Sequence, residues 1–249
     1  MPKAEPESTT PARSTARQGW KQDPASVKAD ILKVATGEIA TYGLSGSRIN
    51  VIAEKCKTSK RMIYYYFGDK EGLYRAVLEC AYESVRSGEQ DLKLDHLMPI
   101  PALETLVEFT FRHHSQHPDF IRLIMIENVH NGKYLAQSET IKEVNAPAIN
   151  RVKKIYERGL QEGYFREGFT ALELHWYISA LSFFNVSNRA SFSMVFGDSL
   201  GSAEGQERLV AHTKEMILRF VLKPDHACRY IGADRSENGE PGRPALNPA

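Results

Sequence analysis

Cysteine is scarce in this chain. There are three in 249 residues, Cys56, Cys80 and Cys228, an odd number at wide spacing. A disulfide framework is excluded on that count; reduced thiols are expected, with a redox switch as the open alternative. Long apolar runs are missing too. No stretch of about twenty apolar residues could span a bilayer, and the N-terminus has no apolar signal-like segment. A membrane partner is therefore not expected, and a cytoplasmic location is. Net charge is only +1, so any affinity for a polyanion has to come from a local concentration of cations. Strand-like alternation and internal repeats are absent, as are a phosphate-binding glycine loop and a nucleophile elbow. These absences predict an all-α protein that is not an enzyme, with no cofactor, no catalytic residues and no metal.

What is present is concentrated between Ser47 and Val77, in the stretch SRINVIAEKCKTSKRMIYYYFGDKEGLYRAV. Ile49, Ile52 and Ala53 share one face of a short helix, with Ser47 placed as its cap. Cys56, Lys57 and Thr58 form a turn, and Ser59 is a second candidate cap. Ile63 and Phe67, four apart, point inward from a second short helix. Its remaining faces carry Lys60, Arg61, Tyr64 and Tyr65. Three consecutive tyrosines sweep about 200° of a helix, so they cannot all be core. A longer helix starts near Asp69 and buries Leu73, Val77, Leu78 and Ala81. An earlier one, from about residue 26 to 42, adds Ile31, Leu32, Ala35 and Ile39 and stops at Gly43. From Arg48 to Arg61 five cations face the lone Glu54. A short basic, aromatic helix suits the major groove of DNA, which offers phosphates to cations and base edges and thymine methyls to rings.

The run IAEKCKTSKRMIYYYFGDKEGLYRAVL resembles the DNA-binding domain of TetR-family transcriptional regulators, whose wording is close to I-A-x-x-A-G-V-S-x-x-x-[IL]-Y-x-[YH]-F-x-x-K-x-x-L. The likeness spans about fifty residues, from the first helix into the fourth. One departure is Lys57, where the family usually has Gly. A left-handed turn residue with a side chain costs roughly 1 kcal/mol or more relative to Gly; the expectation is tolerated strain, with the ammonium offered to a phosphate. The resemblance implies that Ser47, Arg48 and the adjacent helix N-terminus hold phosphate, and that Ser59, Lys60, Arg61, Met62, Tyr64 and Tyr65 face the groove. It further implies that Tyr66 and Lys70 grip the backbone.

The rest reads as a helical bundle. Helices are expected at 101–117, 119–130 (apolar nearly all round, hence central), 139–162 with a kink or join at Pro147, 170–188 and 203–222. The 170–188 helix is too apolar for a wet face, so it is core or meets a partner. In TetR-family proteins the last two long helices pair with their copies, which implies a homodimer. ENVHNGKYL and LHWYISALSFFNVSNRASFSMVFG further resemble the subgroup containing regulators of pyrimidine and nicotinate breakdown. Glu127, Asn128 and His130 are polar groups near the end of a helix read as buried, so they are either satisfied internally or face a ligand. With Trp176 and Tyr177, which are core or pocket, they form the candidate effector site. His113, His114 and His117 precede Pro118, with His113 and His117 one turn apart, and are either metal ligands or a dipole-stabilised helix end.

The expected organisation is a disordered arm at 1–23, with Arg13, Arg17 and Lys21 either solvated or touching DNA, a helix-turn-helix three-helix domain at 24–70, an effector-binding and dimerisation bundle at 71–223, and a disordered tail at 224–249. The expected function is sequence-specific binding of a double-stranded operator, released by a small-molecule effector, an aromatic or heterocyclic acid. The rivals are a helical-bundle small-molecule binder or enzyme without DNA function, and a ligand-independent architectural DNA binder.

Overall fold

Ten α-helices account for most of the described residues, 23–228, of the computed structural model. The arm at 1–22 and the tail beyond residue 228 lie outside them. No strand occurs among the described residues; Phe165 and Leu222 form one isolated antiparallel bridge. Helix α1 (Pro24–Gly46) is capped by Asp23, whose carboxylate accepts from Ser26 N, and it kinks at Gly43, where φ is 70°. The expected stop is thus a change of direction. Then come α2 (Ile49–Lys55), α3 (Lys60–Phe67) and α4 (Lys70–Gln90), the last capped by Asp69, which accepts from Gly72 N at 2.6 Å.

The first hydrophobic core joins Ile31, Ala35 and Ile39 of α1 to Ile49, Ile52, Ile63, Leu73, Val77 and Leu78. It continues into Leu123, Tyr134 and Ile141 from the body. The packing of the head therefore does not end at residue 70. A second core lies among α5 (Pro99–Gln116), α7 (Glu139–Gln161), α8 (Ala171–Ser187) and α10 (Ala203–Val221). Thr170 and Glu173 make a reciprocal capping box at the start of α8.

Four expectations change. Helix α6 (Pro118–Val129) is not central: it buries only Ile121, Leu123 and Glu127 and packs its inner side on α1, leaving Met125 and Val129 exposed. Its apolar composition reflects a joint between head and body. Helix α7 runs unbroken through Pro147, which is exposed, so the carbonyl left without its partner can reach water. A helix α9 (Arg189–Phe196) follows α8 directly; Phe192 and Phe196 at helical spacing, and Gly197 beyond them, were its signal. Residues 224–228, assigned to the tail, make a helical turn, with His226 edge-on to Tyr164 at 5.1 Å and Ala227 against the second core.

Candidate nucleic-acid interface and effector cavity

Helix α3 is held from beneath and bare on top. Ile63 is fully buried, and half-buried Phe67 packs on the head core under the Lys28 ammonium, 5.9 Å from its ring centre. Ser59 Oγ accepts from Met62 N at 3.2 Å, so this residue caps the helix, as expected. Lys57 takes φ 52°, the left-handed geometry expected of it, and Thr58 N donates to Ala53 O at 2.9 Å to close the turn. The strain is accommodated and the ammonium stays exposed. At the far end α3 is locked to α4: a Cβ on Gly72 would lie 2.1 Å from the carbonyl oxygen of Phe67. No side chain fits there.

The expected DNA residues divide into three groups. Arg48, Ser59, Lys60, Arg61, Tyr64 and Tyr65 are exposed, Tyr65 at 77%. Among the described residues the side chains of Arg48, Lys57, Lys60 and Arg61 have no ion-pair or hydrogen-bond partner. Lys55, by contrast, is neutralised by the buried Glu38 carboxylate at 2.8 Å, and that hydrogen bond raises its pKa. Met62 and Tyr66 are half-buried; Tyr66 packs on the core and meets Tyr65 edge-on at 5.3 Å. Lys70 is half-buried, and its Nζ donates to Ser45 O at 3.3 Å, which ties α4 to the kinked end of α1. Ser47 departs from the expectation. It is buried, its hydroxyl donates to Leu44 O, and the cap of α2 is Arg48 without a side-chain bond. The Gly43 kink turns Ser47 inward, so the surface at this corner belongs to Arg48.

The five expected effector residues do not meet in one cavity. Glu127 is fully buried, but its Oε2 accepts from the backbone N–H groups of Tyr134 and Leu135, both at 3.1 Å. It fixes the turn after α6. Its Oε1 and the Tyr74 hydroxyl both lack a partner at hydrogen-bonding geometry, yet they lie close enough that the carboxylate adds to burial in raising the Tyr74 phenol. Asn128, in the last turn of α6, and His130, its C-cap, are exposed. Trp176 is 70% exposed on α8, and exposed Tyr177 meets Phe220 edge-on at 5.2 Å.

Hollows lie elsewhere among the described residues. An open cleft of about 570 Å³ lies among α8, α9 and α10, walled by Phe111, Leu181, Phe184, Phe192 and Met216. A pocket of about 30 Å³ lies among α4, α5 and α8, lined by Arg86, Glu89, Phe109, His113, His114 and His175. His113 and His114 have pKa values pushed down to about 4, by burial first and then by neighbouring histidines and the Arg86 charge. The rings of His113 and His117 stack at 4.0 Å, and His117 Nδ1 contacts His113 O at 2.9 Å. Sequence reasoning missed Arg86, Glu89, His114 and His175 as a group. A signal was there: His113 and His114 fall seven residues after Leu106 and Val107, on the inward stripe of α5.

Comparison with known proteins agrees with this arrangement. Residues 31–77 match the model of bacterial regulatory proteins of the tetR family, and residues 99–217 match the tetracyclin repressor-like C-terminal domain. The chain is similar to the HTH-type transcriptional repressor NicS of Pseudomonas putida, 31% identical over 210 residues that cover 84% of this chain and 99% of that protein. It is also similar to the HTH-type transcriptional regulator RutR of Escherichia coli, 29% identical over 100 residues, 40% of this chain and 47% of that one. Among solved structures, the ketosteroid transcriptional regulator KstR2 of Mycobacterium tuberculosis superposes with a TM-score of 0.58 at 17% identity, over 79% of this chain and 95% of that one. The hemolysin II regulator HlyIIR superposes at 0.52 and 23%, over 76% and 98%.

Proposed function

This chain belongs to the TetR family of DNA-binding transcriptional regulators, and from that premise we propose that it is a cytoplasmic homodimeric repressor whose α3 helices read two half-sites of an operator. The observation that carries the reading is the outer face of α3 and its flanks. Lys60, Arg61, Tyr64 and Tyr65, with Arg48 and Lys57, are exposed around a helix whose inner side is fully used. The cations bind phosphates or guanine edges, and the tyrosines supply stacking and methyl contacts. Two such helices have to stand one helical turn of DNA apart, about 34–36 Å, or a multiple of it.

The second copy is placed on the exposed sides of α8 and α10. Leu172, Trp176, Phe184, Met216 and Phe220 are exposed there. An obligate interface of this kind buries more than about 2,000 Å² in total.

Effector control follows from how the body holds α4. The turn after α6 clasps that helix: the Tyr134 hydroxyl donates to Glu71 at 3.0 Å, the Ser138 hydroxyl to Glu79 at 2.6 Å and Arg75 to Gln137 at 3.2 Å. The Gly72 contact joins the start of α4 to α3. A ligand that shifts α4 therefore shifts the spacing of the α3 helices. Binding the released state a hundredfold better supplies about 2.7 kcal/mol of coupling. The subgroup resemblance favours an aromatic or heterocyclic acid. The test is gel shift with the DNA upstream of the protein's own gene. Specific retardation, lost on addition of such an acid, is the expected result; absence of any specific complex refutes the reading.

A further inference from the structure

The small pocket among α4, α5 and α8 is lined with polar groups that the fold itself does not satisfy. His113 and His114 each retain only 8% exposure, and the Nδ1 atom of each has no hydrogen-bond partner. Buried polar atoms are normally paired, and two orphans lining one hollow point to an absent partner. Arg86 reaches the same pocket with its side chain largely buried. Its Nε donates to Asn145 Oδ1 at 2.8 Å and its Nη1 to Glu89 Oε1. Two of its five N–H groups are thereby used. Arg151 lies 3.6 Å from the other oxygen of Glu89. Within the pocket wall Arg86 and Glu89 balance in charge, with Arg151 behind Glu89, and donor capacity is left on Arg86 and on the two imidazoles. His175 and Ser179, half-buried on α8, complete the wall.

We propose that this pocket binds the carboxylate of a small organic acid, held by Arg86 and by the His113 and His114 imidazoles. A neutral imidazole with its proton on Nδ1 is a donor, and a carboxylate has lone pairs for both rings and for the guanidinium. The hollow of about 30 Å³ has room for about two water-sized groups, the size of a carboxylate. The remainder of the acid passes half-buried Phe109 and Ser179. The larger cleft makes no such demand: its floor amides, Asn185 and Gln206, bond to each other at 2.9 and 3.0 Å. The proposal rests on the reading of the chain as a ligand-responsive regulator and names the site and the ligand's charged group. Arg86 and Glu89 lie near the C-terminal end of α4, the helix that follows α3, so an acid bound there acts on the element that orients the DNA-reading face.

The experiment is calorimetry on the full chain without DNA, with acetate, benzoate and the neutral isostere benzamide. The expected result is saturable heat with at least one carboxylate and none with benzamide. His114→Phe should weaken carboxylate binding by at least about tenfold, or 1.4 kcal/mol, while its melting temperature equals or exceeds the parent's, because an unsatisfied atom has been removed. A histidine with a merely structural role predicts unchanged binding. The triple change Arg86→Met, Glu89→Met and Arg151→Met removes the ion cluster without stranding a buried charge, and should also abolish the heat. No saturable heat from either carboxylate at millimolar concentration, or binding by His114→Phe equal to the parent's, overturns the site. Gel shift separates this from the wider reading: intact operator binding with no carboxylate heat removes this site alone, whereas carboxylate binding that leaves the DNA complex intact keeps the site and refutes effector control through it.

Discussion

Two surfaces of this molecule expose large aromatic side chains, and they differ in one respect. On α3, Tyr64 and Tyr65 stand among Lys60, Arg61, Lys57 and Arg48, cations with no partners among the described residues. On α8, α9 and α10, Trp176, Phe184, Phe196 and Phe220 stand beside Leu172, Met194 and Met216, while cations there such as Arg208 and Arg219 are paired with glutamates one turn away. Rings set among unpaired cations suit a polyanion with flat bases. Rings set among aliphatics suit another protein surface, here a second copy. Exposed apolar area alone does not identify a partner; the charge state of its surroundings does.

The largest way to break that comparison is to put charge on the second surface. Trp176→Glu combined with Phe184→Glu should give a folded monomer by light scattering. Operator affinity should fall by roughly 10²–10⁴, because the second half-site is no longer held in tandem. A dimer that persists, or a monomer that binds as before, removes the proposed assembly.

Gly72→Ala comes next. The added methyl would sit 2.1 Å from Phe67 O, and overpacking of this kind costs about 1–3 kcal/mol. Melting should drop and operator binding should weaken as α3 is displaced. An unchanged melting curve would show that the α3–α4 joint has slack.

Smaller effects are expected from the cations of α3. Lys60→Ala and Arg61→Ala should each weaken operator binding by about tenfold at fixed salt. Each should also lower the salt slope by about one unit if it contacts a phosphate. Circular dichroism and oligomeric state should not change, since neither side chain supports the fold.

A separate effect is one of pH. His113 and His114 titrate near pH 4 in the fold, against about 6.5 when unfolded. The unfolded chain thus binds protons first. Their contribution to stability is complete above pH 6.5 and is lost as pH falls toward 4. Arg86, His117 and half-buried His175 surround them, and Glu89 is already paired with Arg86. Chemical denaturation should show a slope in that window which flattens in the His113→Phe/His114→Phe double variant. An identical slope would assign the acid sensitivity to other groups.

The two surfaces were not equally legible. The α3 surface could be read residue by residue because a short helix with two inward positions leaves little choice for the rest. Ser47 was the exception: the Gly43 kink is a backbone feature that rotated it inward, and residue type alone does not reveal that. The body was harder. Helix α6 looked central because it is apolar all round, yet two sides of it serve two different packings and a third is wet. Glu127 is a buried polar group whose partners are backbone amides seven and eight residues on, a satisfaction that composition cannot distinguish from a ligand. Arg86, His114 and His175 come from three helices, and their meeting depends on packing angles that no local pattern encodes. Pro147 marks no join, because an exposed proline tolerated within a continuous helix reads the same in sequence as one that ends it.

The central claim is that the outer face of α3 is the DNA-reading surface. Its most direct test is fluorescence anisotropy with a labelled upstream DNA fragment against a scrambled one, for the parent and for Tyr65→Ala, a fully outward side chain whose loss leaves the core intact. The account predicts specific binding by the parent with two chains per site, and for Tyr65→Ala a loss of about 1–3 kcal/mol in discrimination between the two fragments at unchanged melting temperature and dimerisation. Equal affinity of parent and Tyr65→Ala for the upstream fragment, together with an unaltered preference over the scrambled one, would contradict it.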